Sequence, residues 1–476
     1  MLRDWRTKRV LGRAESYDEW CDTAQRLDKK NGAERWRKTD QSSQYDYISI
    51  RHRLDRLREL RARHDYHGLL FVLNEGIHGN MGGMGRSSLY HRALFGTKQL
   101  IEQYVEEIVG ALELIAKIDD EEIPRAEKLD FFRRAYHCFG RSALMMSGSG
   151  SLLFFHLGVV KALHEERLLP DIFSGSSGGS IVGALLATHS DEELERFFSG
   201  EDPSLFVQAA DAEMGWLERY RFRITPAEEV RAALEEFLPD MTFDEAHEKT
   251  GRHLNVSIAP AETHQTSRLL NAITTPNVCI LDGVMASAAV PGVYPAVTLM
   301  AKDKYGDKKA YLPSRKWVDG AVSDDLPAKR LSRLYGVNHF IVSQTNPHII
   351  PFVDDGKRPN RPLSLVRTAA TRTTREWLNV SANLMQKPMR RYPALQRATN
   401  LALSVVNQDY MGDINILPPF RFHNPARLLA RLTEEEAQTL IRMGERAAWP
   451  EMEMIRIQTR ISTTLNAILE SMDPRG

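Results

Sequence analysis

Leu169-Pro170-Asp171-Ile172-Phe173 runs into Gly175-Ser176-Ser177-Gly178-Gly179 and then into Ser180-Ile181-Val182-Gly183-Ala184-Leu185-Leu186-Ala187. The first five residues read as a chain entering a short buried strand, with Pro170 outside the ladder. The last eight read as a buried helix. Between them lies G-x-S-x-G, a strand-to-helix turn so tight that only small residues fit beside the serine. Such a nucleophile elbow, with Gly175 and Gly179 as its flanks, leaves the Ser177 hydroxyl exposed at the end of a sheet. Gly179 and Gly183 fall on one helical face, where they allow close packing on that sheet. Ser177 then sits at a helix N-terminus, where N–H groups and the dipole favour developing negative charge. A Gly/Ser turn that merely caps a helix is the plainer alternative.

A second Gly/Ser loop argues for chemistry. Ala143-Leu144-Met145-Met146 looks like a strand, Ser147-Gly148-Ser149-Gly150-Ser151 follows it, and a helical pattern runs from Leu152 to about Glu166. Acyl transfer needs N–H donors aimed at a tetrahedral oxyanion, and a glycine-rich strand-to-helix turn supplies them. A dinucleotide site would need a third glycine where the chain has Leu153, and the loop carries no basic residue for a phosphate. The third element is Trp317-Val318-Asp319-Gly320-Ala321. An Asp followed by small residues at a strand end places a carboxylate beside a serine, where it acts as general base without an intervening histidine. Asp282-Gly283 reads as a turn.

With these elements in the order oxyanion loop, serine, Asp-Gly-Ala, the chain resembles the patatin-like phospholipases, and within them the triacylglycerol-lipase branch. The matching stretches are Ser147 to Leu163, Phe173 to Gly183, Met285 to Pro295, Trp317 to Pro327, Asn338 to His348 and Gln408 to Ile416. Tyr45-Asp46-Tyr47 and Gly79-Asn80-Met81-Gly82-Gly83 resemble the extra N-terminal domain of that branch. The resemblance implies a Ser–Asp dyad carried by Ser177 and Asp319. It implies an oxyanion hole from Gly148, Ser149 and Gly150, with the Gly178 amide beside them. Family members commonly have D-G-G-G-x-R-G, whereas this chain reads Ser147-Gly148-Ser149-Gly150-Ser151-Leu152-Leu153. Ser149 loses backbone freedom if a positive φ is required there.

The expected fold is α/β: a patatin-like three-layer α/β/α core, a helix-rich N-terminal domain and a helical C-terminal extension. The corresponding segments are 1–140, 141–350 and 351–476. In the first, Leu54, Leu57 and Leu60 mark one helical face and a second helix runs from Thr97 to Ile118. The Gly76–Gly85 cluster breaks the helices between them. His64, His67 and His78 share no metal spacing with carboxylates and read as surface or packing residues. In the last segment, Thr433-Glu434-Glu435-Glu436 opens a helix as a capping box, Trp449-Pro450 breaks it, and another helix runs to about Met472.

The 476 residues carry 63 basic and 63 acidic side chains, so no global field recruits nucleic acid or a membrane. The three cysteines Cys21, Cys138 and Cys279 are far apart and read as reduced thiols. No secretory signal and no run long enough to span a bilayer is visible, so the expected location is cytoplasmic with peripheral membrane attachment. From Lys357 to Arg397 there are ten basic residues and one acid, Glu376, interleaved with Trp377, Leu384, Met385, Met389 and Tyr392. That composition suits an anionic lipid surface, and a solvated face folded onto the core is the bland alternative.

The leading expectation is a cofactor-free, metal-free lipid acyl hydrolase acting on triacylglycerol or a related glycerolipid at a membrane or lipid-droplet surface. Phospholipase, lysophospholipase or transacylase chemistry on the same dyad is an alternative. Others are a Ser–His–Asp hydrolase with His339 or His348 as base, and a lipid-surface protein that has lost turnover.

Overall fold

A computed structural model of the chain describes residues 7, 9–200, 226–262, 266–320, 325–346, 412–419 and 432–473. The basic segment 357–397 and His348 lie outside the described residues. The chain divides into two compact units. One comprises Met1–Ser142, Lys329–Phe340 and Ala448–Gly476; the other comprises Ala143–Ala328 and Ile341–Ala447.

In the first unit, α1 (Tyr17–Asn31) starts at Ser16, whose side chain accepts the Glu19 N–H, and ends at Gly32 in the left-handed conformation. These are the favoured cap residues at either end of a helix. In α2 (Tyr47–Ala62), Ile50, Leu54, Leu57 and Leu60 are buried at helical spacing. That stripe packs on α3 (Gln99–Lys117), which buries nine residues from Leu100 to Ile115. α4 (Arg125–Phe139) follows. The Lys98 ammonium is buried yet satisfied: it donates to the carbonyls of Trp36 at 2.8 Å and Thr39 at 2.5 Å.

The second unit is built on a seven-stranded sheet in the order β4-β3-β2-β1-β8-β9, with β7 also paired to β3. Its strands are β1 (Arg141–Met146), β2 (Ile172–Gly175), β3 (His253–Pro260), β4 (Arg268–Leu270), β7 (Trp317–Asp319), β8 (Val337–Ser343) and β9 (Ile414–Ile416). A separate hairpin joins β5 (Met300–Lys302) to β6 (Lys308–Ala310). The pairs β1–β2, β2–β3 and β8–β9 are parallel, while β4 and β7 run antiparallel to β3. In β1, Ala143, Leu144, Met145 and Met146 are all buried. A central parallel strand covered on both faces needs such an unbroken apolar run. α5 (Leu153–Glu165) is the crossover between β1 and β2. α6 (Gly178–Thr188) leaves the end of β2 and packs on β2 and β3. The architecture is the expected three-layer α/β/α core.

One expected turn is a helix. Asp282 and Gly283 lie inside α7 (Ile280–Ala288), which packs on α6, β3 and β7. Buried Ile280, Val284 and Met285 give the segment a helical apolar face, and a carboxylate in the first turn suits the dipole. Asp282 Oδ1 accepts from Arg231 at 2.6 Å.

α8 (Glu434–Ala448) begins at the expected capping box, with Glu436 N–H donating to Thr433 Oγ1 at 3.3 Å and Thr433 N–H to Glu436 Oε2 at 3.1 Å. It meets α5 at glycines on both sides. A β-carbon on Gly158 would stand 1.9 Å from the Ile441 carbonyl oxygen, and one on Gly444 would stand 2.2 Å from that of Phe155. The backbones approach only because neither residue has a side chain. After a short 3-10 turn at Trp449–Glu451, α9 (Met452–Met472) completes the first unit, with Ile455, Ile461 and Leu465 buried.

Candidate active site

The β1–β2 ladder continues one step beyond β2, where Ser176 N–H donates to the Met146 carbonyl at 3.2 Å. The chain then turns sharply. Ser177 has φ 51° and ψ −123°, a conformation that a residue with a β-carbon adopts only under constraint, and α6 starts at the next residue. The constraint is visible on either side of it. A β-carbon on Gly179 would lie 2.6 Å from the Met146 carbonyl oxygen, so the elbow closes only with glycine there. Ser180 Oγ donates to the Ser177 carbonyl at 2.6 Å, and Ser177 N–H donates to Ser287 Oγ at 2.9 Å. The serine itself is 8% exposed.

The Ser147–Ser151 loop lies beside this elbow. A β-carbon on Gly178 would meet Ser149 Oγ at 2.2 Å and the Gly150 amide nitrogen at 3.2 Å. The loop therefore packs against the residue that follows Ser177. Ser149 has φ −136°, so no left-handed conformation is asked of it; the positive φ, 51°, falls on Gly150. The Ser149 hydroxyl is buried and has no hydrogen-bond partner among the described residues. The Gly148 N–H donates to Asp325 Oδ1 at 2.7 Å.

Sheet register places Asp319. At Val256, β3 has Gly175 of β2 on one edge and Leu270 of β4 on the other. At Ile258 its partners are Arg268 of β4 and Asp319 of β7. β4 keeps its edge, so β7 lies on the edge that β2 has just left. Asp319 stands two residues beyond the partner of Gly175, about 7 Å along the strand, and Ser177 stands two residues beyond Gly175. The carboxylate-bearing strand end thus lies past the carboxyl end of β2, where the elbow emerges. Asp319 is 5% exposed, and its N–H donates to the Ala289 carbonyl at 3.0 Å.

This strand–elbow–helix unit with its glycine loop lies within residues 144–331, which match the patatin-like phospholipase family model. Residues 3–137 match a domain of unknown function, DUF3336. A patatin-like phospholipase domain-containing protein of Aspergillus clavatus is 31% identical over 509 residues, covering 99% of this chain and 70% of that protein. The chain belongs to the patatin-like phospholipase family. A triacylglycerol lipase of Arabidopsis thaliana is 32% identical, with 97% of this chain and 58% of that protein covered. Triacylglycerol lipase 4 of Saccharomyces cerevisiae is 33% identical, with 93% and 50% covered. This chain spans little more than half the length of these two relatives.

Three polar residues of this patatin-like core escaped the sequence reading. Ser287 Oγ accepts the Ser177 N–H and donates its own hydrogen bond to the Ser257 carbonyl at 2.8 Å. Asp325 accepts from Gly148 through its carboxylate, and its main-chain carbonyl accepts from Ser176 Oγ at 3.0 Å. His156, fully buried, bonds the Ser147 carbonyl and Ser343 Oγ, and burial holds its pKa down at about 4. Ser287 lies in the stretch Met285–Pro295 and Asp325 in Trp317–Pro327; the place of Ser287 between two alanines, and of Asp325 six residues after Asp319, was the available signal. His339 is occupied elsewhere: Nδ1 is 2.9 Å from Ser142 Oγ and Nε2 is 2.6 Å from Gln458 Oε1. Among the described residues no cluster of metal ligands exists and no helix is long and apolar enough to cross a membrane.

Proposed function

We propose that this protein is a serine lipid acyl hydrolase that cleaves fatty-acyl esters of triacylglycerol or a related glycerolipid through a Ser177–Asp319 dyad. The observation that carries the reading is the strained Ser177 at the head of α6, with Asp319 entering from β7 beyond the end of β2. Strain at a single serine in an otherwise regular strand-to-helix link is the mark of a nucleophile elbow.

In the reaction, Ser177 Oγ attacks the ester carbonyl while its proton passes to Asp319. The tetrahedral oxyanion is received by amides of the Ser147–Ser151 loop and of Gly178, at the positive end of the α6 dipole. Collapse expels the glyceride alcohol, which takes the proton back from Asp319. Asp319 then draws a proton from water as its oxygen attacks the acyl-enzyme, and collapse releases the fatty acid while Ser177 Oγ takes that proton back from Asp319. No step needs a metal or an organic cofactor. The triacylglycerol preference is supported by the relatives named for that activity. Attachment to a lipid-droplet or membrane surface is assigned to the basic, aromatic-rich segment 357–397.

The test is fatty-acid release from emulsified triolein and from phosphatidylcholine, comparing the wild type with Ser177→Ala and Asp319→Asn. Loss of turnover in both folded variants is expected, and full activity in either removes the dyad. Release from phosphatidylcholine alone transfers the protein to the phospholipases.

A further inference from the structure

Two buried side chains, neither of them a partner in the proposed proton transfers, grip opposite ends of one peptide unit in the oxyanion loop. The peptide between Ser147 and Gly148 has one carbonyl, 3.0 Å from His156 Nε2, and one N–H, which donates to Asp325 Oδ1 at 2.7 Å. Both His156 and Asp325 are fully buried. A carbonyl only accepts, so His156 carries its proton on Nε2, and Nδ1 accepts the Ser343 hydroxyl at 2.7 Å. The rest of Ser147 is fastened too. Its N–H donates to the Ser343 carbonyl at 3.1 Å, and its Oγ accepts the Thr345 N–H at 2.9 Å. Asp325 also binds the elbow through the Ser176 hydroxyl.

This peptide has one stable orientation. Turning it over would set the Ser147 carbonyl against a carboxylate and the Gly148 N–H against the N–H of His156. Two hydrogen bonds would be replaced by two repulsions among fully buried groups. We infer that Asp325 and His156 are positioning residues for acyl transfer, which hold the Gly148 N–H away from the reacting oxygen. The oxyanion is then received by the Ser149–Gly150 turn and by Gly178, and not by Gly148. The inference rests on Ser177 being the nucleophile. Its physical content is preorganisation: donors already fixed when charge develops need no rearrangement in the transition state. A β-carbon on Gly178 would stand 2.8 Å from the Gly150 carbonyl oxygen and 3.2 Å from the Gly150 nitrogen, so the loop and the head of α6 are in close contact.

The experiment compares Asp325→Ala and Asp325→Asn, and His156→Phe and His156→Gln. Asn keeps an acceptor for the Gly148 N–H, and Gln keeps a donor for the Ser147 carbonyl. The readouts are kcat and KM on a soluble p-nitrophenyl ester, and the rate of Ser177 labelling by a fluorophosphonate. Asp325→Ala and His156→Phe are expected to lower kcat and the labelling rate about 100-fold, as for a lost or misplaced oxyanion donor. KM should stay within about twofold, and the Asn and Gln variants should recover most of the loss. Equal loss in conservative and truncating variants, or labelling unchanged by truncation, overturns the inference. A crystal structure of the phosphonylated wild type gives a second test that requires no variant to fold. The phosphoryl oxygen should lie within hydrogen-bond reach of the Gly150 and Gly178 nitrogens, with Gly148 still on Asp325; a Gly148 N–H turned to that oxygen overturns it. Failure of the Ser177 reading looks different: the wild type would then resist labelling, or Ser177→Ala would still be labelled.

Discussion

Ser287 Oγ accepts the Ser177 N–H at 2.9 Å, so a residue from α7 holds the main chain of the strained elbow serine. The same hydroxyl donates to the Ser257 carbonyl on β3 at 2.8 Å, at the gap that Asp319 borders. One side chain therefore ties the elbow to the strand that carries β7. Ser287→Ala leaves a buried N–H and a buried carbonyl without that bridge, which should cost about 1–3 kcal/mol of stability. Because the freed peptide belongs to the proposed nucleophile, kcat should fall about tenfold or more while KM changes little. Urea denaturation and ester kinetics on the same preparation measure both.

The strain at Ser177 predicts an opposed pair of effects. With φ at 51°, a β-carbon there carries a penalty of about 1–3 kcal/mol, which glycine escapes. Glycine loses about 0.5–1 kcal/mol through the greater freedom of its unfolded chain. Ser177→Gly should therefore be inactive yet more stable than Ser177→Ala, by about 1 kcal/mol. Both variants lack the hydroxyl, so their difference in denaturation midpoint isolates the backbone. A Ser177→Gly variant less stable than Ser177→Ala by about 0.5–1 kcal/mol would mean that the elbow is not strained.

The contact between α5 and α8 gives a prediction remote from the chemistry. Gly444→Ala places a β-carbon where the Phe155 carbonyl oxygen is 2.2 Å away, and Gly158→Ala meets the Ile441 carbonyl oxygen at 1.9 Å. Neither obstacle is a flexible side chain, so the helices must separate. Each substitution should cost about 1–3 kcal/mol, and the double variant less than the sum, since one separation serves both. Thermal unfolding of the three variants decides this.

The elbow was legible in the sequence because everything that shapes it is local: the strand, the serine and the small residues after it are consecutive. The same holds for the capping box at Thr433 and the apolar faces of α2 and α3. Asp282-Gly283 misled for the same local reason, since an Asp-Gly pair resembles a turn until the apolar spacing around it is weighed. The residues missed are of another kind. Ser287, Asp325 and His156 act on positions 110, 177 and 9 residues away, and their partners are main-chain atoms that carry no side-chain signature. A serine between alanines or a histidine inside an apolar helix looks like filler until the fold sets a carbonyl or an N–H against it. The grouping of α9 with the N-terminal helices is equally non-local, because the chain returns to them only after the whole α/β core.

His156 links this architecture to pH. Burial outweighs its bond to the Ser147 carbonyl and brings its pKa from 6.5 to about 4. The folded protein therefore keeps the imidazole neutral between those values, while the unfolded chain protonates it. As the unfolded state then binds more protons, stability rises with pH across this window, is fully present above about 6.5, and is lost as pH falls towards 4. The loss approaches about 3 kcal/mol at the acid end, on the order of 1.4 kcal/mol for each unit of separation. Carboxylates elsewhere also titrate on the way down, so the quantity to measure is a difference between proteins. Urea denaturation at pH 7 and pH 4.5 should show the wild type losing about 2–3 kcal/mol more than His156→Gln, whose side chain cannot take up a proton. A parallel loss in the two proteins would mean that the imidazole is protonated in the folded state as well. The Ser343 hydroxyl would then have to turn its oxygen towards Nδ1 instead of donating to it.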